Sequence, residues 1–177
     1  MARTTFQGPV RSLGGFYTQG PNTVVDAANG TNTLTLDVAN YAGRTLRTND
    51  ATLIITLPAI VATADPVSSG PGADPNTLNN IGATYRIFIE TTASAVAIKT
   101  DGTDKFVGSL MMVDTDSSGA AYGYAPAASN DVINLNGTTT GGIAGSWVEV
   151  TAVAANKYFV SGIVLGSGSV ATPFADA

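Results

Sequence analysis

Residues 131–162, "DVINLNGTTTGGIAGSWVEVTAVAANKYFVSG", alternate apolar and polar side chains, pass through a run of Thr and Gly, and alternate again around the chain's only tryptophan. Successive side chains of a strand point to opposite faces, so period-2 alternation reads as strands with one buried face. Strands are predicted at 131–136, 146–153 and from 157 onward. Asn136-Gly137 accepts positive φ cheaply, which predicts a structural hairpin with a flexible glycine-rich tip between the first two strands. Trp147 is expected to anchor the returning strand in the core.

Outward from this stretch the same signal recurs at 23–26, 33–38, 44–48, 52–57, 84–90, 95–100, 105–113, 120–124 and 157–165. No long segment carries the i, i+3, i+4, i+7 stripe of an amphipathic helix. The fold class is therefore all-β: a single-domain sandwich or barrel of about ten short antiparallel strands. Asn29-Gly30 and Asp101-Gly102 are two further hairpin signals. Residues 1–21, punctuated by Gly8-Pro9, Gly14-Gly15 and Gly20-Pro21, read as an irregular N-terminal arm, and 22–177 as the β body. Within the body, 58–82 carries Pro58, Pro66, Pro71 and Pro75 and reads as a long loop, since proline has no N–H for a ladder.

Charged residues make up only 12% of the 177, so hydroxyls and amides solvate the surface and association with other protein meets little electrostatic resistance. Residues 1–50 carry four basic and three acidic side chains, residues 51–177 four basic and ten acidic ones, so the arm end is the more basic. The overall charge of −5 argues against nucleic acid, whose phosphates require clustered Lys and Arg. No segment resembles the apolar core of a signal peptide or a membrane-spanning run, so a soluble protein with no membrane partner is expected.

With no cysteine and no histidine, thiolate nucleophiles, cysteine-based metal sites and histidine-dependent triads are excluded. Asp114, Asp116, Ser118 and Gly119 match the first half of a calcium loop, but its twelfth position falls on Ala125, where a bidentate glutamate is needed. A polar strand end accounts for the same residues. Asp101 and Asp104 are conceivable as a glycosidase pair, yet a turn with Asp at its opening positions explains both. Glu90 and Glu149 fall at polar slots of alternating strands, and the glycine-rich pieces lack the Lys-Ser/Thr ending of a phosphate loop. No catalytic residue, metal ligand or cofactor is assigned, and the chain is read as not an enzyme.

Four stretches carry a resemblance: "YAGRTLRTNDATLIITLPA" (41–59), "TYRIFIETTASAVAIKTDGTDKFVGSLMMVDTD" (84–116), "INLNGTTTGGIAGSWVEVTAVAANKYFVSG" (133–162) and the ending "GSGSVATPFADA". In this order they resemble virion structural proteins of tailed bacteriophages. The resemblance implies a capsid decoration or cement protein, or a head fibre, located on the capsid surface. It further implies the major capsid protein as partner and self-association as a homotrimer. On that reading the contacts with capsid or neighbouring subunits fall to Arg3, Phe6, Arg11, Phe16 and Tyr17 of the arm, Pro66, Pro71 and Pro75 of the loop, and Phe174 near the end. The alternative is a tail or head-fibre β module that binds host surface polysaccharide through Tyr122, Tyr124 or Trp147. The loop after "TLPA" is longer here than is common in that family.

Overall fold

The computed structural model describes residues 24–25, 32–63, 79–116 and 119–177. In chain order the strands are β1 (Val24–Val25), β2 (Thr33–Thr35), β3 (Arg44–Thr48), β4 (Thr52–Thr56), β5 (Thr84–Ile89), β6 (Ala95–Lys99) and β7 (Lys105–Gly108). They continue as β8 (Leu110–Asp114), β9 (Ala121–Tyr124), β10 (Val132–Leu135), β11 (Trp147–Ala154), β12 (Lys157–Gly166) and β13 (Phe174–Ala175). A single helical turn, α1 (Val38–Tyr41), interrupts them; the Asp37 side chain caps it by accepting from Asn40 N at 2.8 Å. No helix among the described residues is long and apolar enough to cross a membrane.

The strands form two sheets. The larger runs β1-β3-β5-β11-β12-β8-β9, with β7 pairing the first half of β12; the smaller runs β13-β10-β6-β4-β2. Inward slots alternate along each strand, as in Tyr85, Ile87 and Ile89 of β5 and Val148, Val150 and Ala152 of β11, all fully buried. They meet Leu53, Ile55, Val96, Ile98, Ile133 and Leu135 of the smaller sheet in one core. Each fully buried side chain of this size contributes about 1.5–3 kcal/mol, so the facing layers, not any single bond, hold the sheets together. The all-β class expected from the sequence is found, as are most strands within a residue or two, and of the two architectures it left open, sandwich or barrel, the structure is the sandwich.

The pairing differs from the antiparallel expectation. Between β2 and β6 the chain changes sheet at every connection, so β3 lies parallel to β5 in one sheet while β2, β4 and β6 lie parallel in the other. A strand that crosses to the opposite sheet and back returns in its original direction, and parallel pairing is the geometric result. Antiparallel pairs occur later, at β11·β5, β11·β12, β8·β9, β10·β6 and β10·β13. Both sheets are mixed.

Neither Asp101-Gly102 nor Asn136-Gly137 closes a hairpin. The first lies between β6 of the smaller sheet and β7 of the larger, the second between β10 of the smaller and β11 of the larger, so both are crossovers. Positive-φ dipeptides permit a sharp turn without deciding which sheet the next strand joins. The tight hairpin between β11 and β12 turns instead through Asn156, at φ 59°. The Asn29-Gly30 signal lies outside the described residues.

Candidate interaction surface

The outward slots of the larger sheet differ from those of an ordinary solvated face. Through the registers β3·β5, β5·β11, β11·β12 and β12·β8, residues Arg47, Phe88, Trp147, Ile163 and Met111 line up in one row across five strands. Met111 is 51% exposed and Ile163 38%, while Phe88 and Trp147 are half-buried by their neighbours. The next row reads Thr45, Arg86, Glu149 and Ser161. Beyond it Phe159 is again exposed, and on the other side Leu165 and Val113 extend the apolar area.

Charges beside these apolar residues occur in closed pairs. Arg86 donates from Nη2 and Nε to Glu149 Oε2 at 2.6 and 2.9 Å, and Arg47 pairs with Glu90. The Arg86 guanidinium also stands 5.8 Å from the Trp147 ring centroid. Thr45, Arg86, Phe88 and Trp147 line an open depression of about 330 Å³. Trp147 thus faces outward and is not the core anchor the sequence predicts. Val148, Val150 and Ala152 occupy the inward slots of β11, and strand alternation leaves Trp147 the opposite face.

The glycine-rich crossover at 136–146 is closely packed. Asn136 Oδ1 accepts from Thr138 N and Thr140 N at 2.9 and 3.0 Å, and Gly137 N donates to Gly141 O at 2.7 Å. Gly137 has φ +73°, and a Cβ there would stand 2.0 Å from Ala93 O; at Gly142, φ +98°, it would stand 2.8 Å from Leu135 Cβ. These glycines are required because the 91–93 segment and β10 fill the space beside them. In place of the expected flexible tip stands a joint between the two sheets, buried at Gly137, Gly141 and Gly142, and Ser146 completes it by accepting from Leu165 N at 2.9 Å.

The base of the long loop is also built. Asn80, 3% exposed, accepts from Val61 N at 2.9 Å and donates to Ala59 O at 2.9 Å, tying the loop's two ends together. Asp104 Oδ2 accepts from Ile60 N at 2.8 Å, and the Tyr158 hydroxyl donates to Pro58 O at 2.6 Å. Pro66, Pro71 and Pro75 lie outside the described residues, as do Arg3, Phe6, Arg11, Phe16 and Tyr17 of the arm.

The acids weighed in the sequence are each bound into the structure. Asp101 Oδ1 accepts from Thr103 N and Asp104 N, the turn expected of it. Asp104 is buried on the loop base; desolvation raises its pKa, against the hydrogen bond from Ile60, with Asp101 adding to the rise. Asp114 Oδ1 accepts from Asp116 N and Asp116 Oδ2 from Gly168 N, so both tie strand ends; Ser118 lies outside the described residues. Asp131 accepts from Lys105 Nζ at 2.7 Å, which holds its carboxyl below the usual range, and from Ala177 N at 2.9 Å. Among the described residues no three metal-ligating side chains are gathered. Burial, with Asp37 nearby, pushes the Tyr85 hydroxyl up to about 12, and that hydroxyl has no hydrogen-bond partner among the described residues.

Phe174, expected at a capsid or subunit contact, belongs to the core. It is 6% exposed, pairs with Ile133 through β13·β10, and its ring lies 6.4 Å from that of Phe106. This ring sits in an otherwise polar ending because it closes the smaller sheet of its own chain. Tyr122 and Tyr124 share the inward side of edge strand β9; Tyr124 packs on the core and Tyr122 overhangs it, 42% exposed. Sequence reasoning missed Phe88, Ile163 and Met111. Their signal was present: "TYRIFIE", "KYFVSGIVLG" and "SLMMVD" carry apolar residues in both alternating sets, so both faces of these strands are apolar.

Comparison of the chain with protein-family models, curated proteins and solved structures gives no match.

Proposed function

We propose that the protein is a non-enzymatic virion structural protein of a tailed phage, a decoration protein that binds the outer capsid shell as an oligomer and stabilises it. The observation that carries this reading is the outward apolar row Phe88, Trp147, Ile163 and Met111 on central strands of the larger sheet. Aromatic residues, Met and Arg are the types enriched where proteins pack together. The acids Asp101, Asp104, Asp131, Glu90 and Glu149 are engaged in turns, clamps and ion pairs, which is the use a body built to pack makes of them. The ordered likeness of four sequence stretches to phage virion proteins supports the same reading.

Copy number tests it. Quantitative mass spectrometry of purified particles should find hundreds of copies per virion, with density on the shell lattice by electron cryomicroscopy. Particles lacking the protein altogether refute a virion role.

A tail or fibre module binding host polysaccharide is the second reading, favoured by the depression between Phe88 and Trp147, where a sugar ring has an aromatic wall and Arg86 beside it. A handful of copies per particle, together with glycan binding lost in Trp147→Ala, decides for it.

A further inference from the structure

We infer that the outer face of the larger sheet is the surface on which two copies of this chain pair, face to face about a two-fold axis parallel to the strands. The inference rests on the packing role proposed above and names the partner of that surface.

The row is self-complementary. Its centre falls between β11 and β12, with Phe88 and Trp147 on one side and Ile163 and Met111 on the other. A two-fold axis along the strands at that centre sets Trp147 of one copy over Ile163 of the second, and Phe88 over Met111. Every contact is then aromatic against aliphatic or thioether, and Met sulfur against a ring is a favourable contact. Arg47, at the end of the row, falls over Gly123 of the second copy, where no side chain opposes it. In the adjacent row Glu149 falls over Ser161. No like charges face each other, and the nearby charges are already neutralised as Arg86–Glu149 and Arg47–Glu90.

The dimensions agree. The seven strands run from the two residues of β1 to the ten of β12; at a rise of about 3.3 Å per residue and a spacing of about 4.8 Å they give a face of roughly 600 Å² in plan, approaching the ~800 Å² of accessible surface that each partner buries in a stable complex. The apolar row crosses its middle beside the closed Arg86–Glu149 pair, with Arg47–Glu90 toward the β3 side, so the charges within the face are already neutralised. A surface that meets its own copy is isologous and makes a dimer. This departs from the three-fold arrangement that the phage resemblance implies.

Sedimentation velocity on the purified full chain across a concentration series tests it, with Ile163→Lys and Met111→Lys as interface variants and Ile54→Lys, exposed on the smaller sheet, as the control. The wild type and Ile54→Lys should dimerise. Ile163→Lys and Met111→Lys, with unchanged circular dichroism, should each raise Kd by roughly 100-fold, the loss expected for a charge in a desolvated interface centre. Emission from Trp147, the chain's only tryptophan, should shift to shorter wavelength as the wild type associates. A wild type that is monomeric at every concentration, a dimer that survives both folded variants, or emission that ignores dilution overturns the pairing. A monomer that still coats shells refutes only the pairing, and a dimer absent from particles refutes only the virion role.

Discussion

Replacing Gly137 by Ala separates a packed joint from a flexible loop, provided Gly43→Ala is measured beside it. Both glycines have nearly the same positive φ, +73° and +74°, so both variants force an Ala to positive φ at about 1–2 kcal/mol. Both also lose unfolded-state entropy, which returns about 0.4–1 kcal/mol. They differ in their surroundings. At Gly43 a Cβ meets nothing within 4 Å, whereas at Gly137 it meets Ala93 O at 2.0 Å and Thr92 Cγ2 at 2.9 Å. A backbone oxygen cannot rotate away, so the 91–93 segment must shift, at an overpacking cost of about 1–3 kcal/mol. Gly43→Ala should therefore cost about 1 kcal/mol and Gly137→Ala about 2–4 kcal/mol. At roughly 2–4 °C per kcal/mol for a chain of this length, the Gly137 variant should melt roughly 4–16 °C below wild type. Urea unfolding followed by circular dichroism gives the two free energies directly. Equal losses would refute the close packing of the crossover and restore the flexible-tip reading.

Phe174→Ala should destabilise by about 3 kcal/mol, because it opens a cavity beside Phe106; a change below about 0.5 kcal/mol in urea unfolding would return Phe174 to the surface role. Asn80→Ala removes two hydrogen bonds at the loop base and should cost about 2 kcal/mol, with faster hydrogen exchange at Val61; unchanged exchange there counts against the staple. Tyr85→Phe removes a buried hydroxyl without a partner and should stabilise by about 1 kcal/mol; a loss of that size would show that the hydroxyl is satisfied. Asp131 has a folded pKa below its unfolded value of 3.8, so its stabilisation is present above that value and lost as pH falls through the folded pKa. Lys105→Met should flatten this acid limb in urea midpoints taken between neutral pH and the low threes, and an unchanged limb would detach the effect from the Lys105 ion pair.

Alternation made most strands legible, because half-buried strands must alternate whatever sheet they join. It carried no information on pairing. β3 and β4 follow each other within four residues yet lie in different sheets, and only the tertiary core decides that. β13 was missed because two residues after a proline give no period, and α1 because one capped turn gives no stripe. Trp147 and Phe174 exchanged roles for a shared reason. Residue type alone assigns the large tryptophan to the core and a ring in a polar tail to the surface, whereas slot parity on β11 and the open edge of β10 decide otherwise.

The same topology explains why the candidate surface could not be read from any one segment. Arg47, Phe88, Trp147, Ile163 and Met111 come from five strands, and two parallel pairings, β3·β5 and β12·β8, with two antiparallel ones, β5·β11 and β11·β12, bring them into register. β5, β11, β12 and β8 each contribute between one and three outward apolar residues, which in a single strand is ordinary. Aligned across neighbouring strands they become a continuous apolar area, and such areas mark interaction sites on soluble proteins. The fold that builds this area is dominated by contacts between residues far apart in sequence. Their closure entropy slows folding. The Gly137 crossover against Ala93, the Asn80 staple to Val61 and the β13·β10 pairing are joints of this kind, each closing one segment on another distant in sequence, so none of them forms until the chain has paid that entropy.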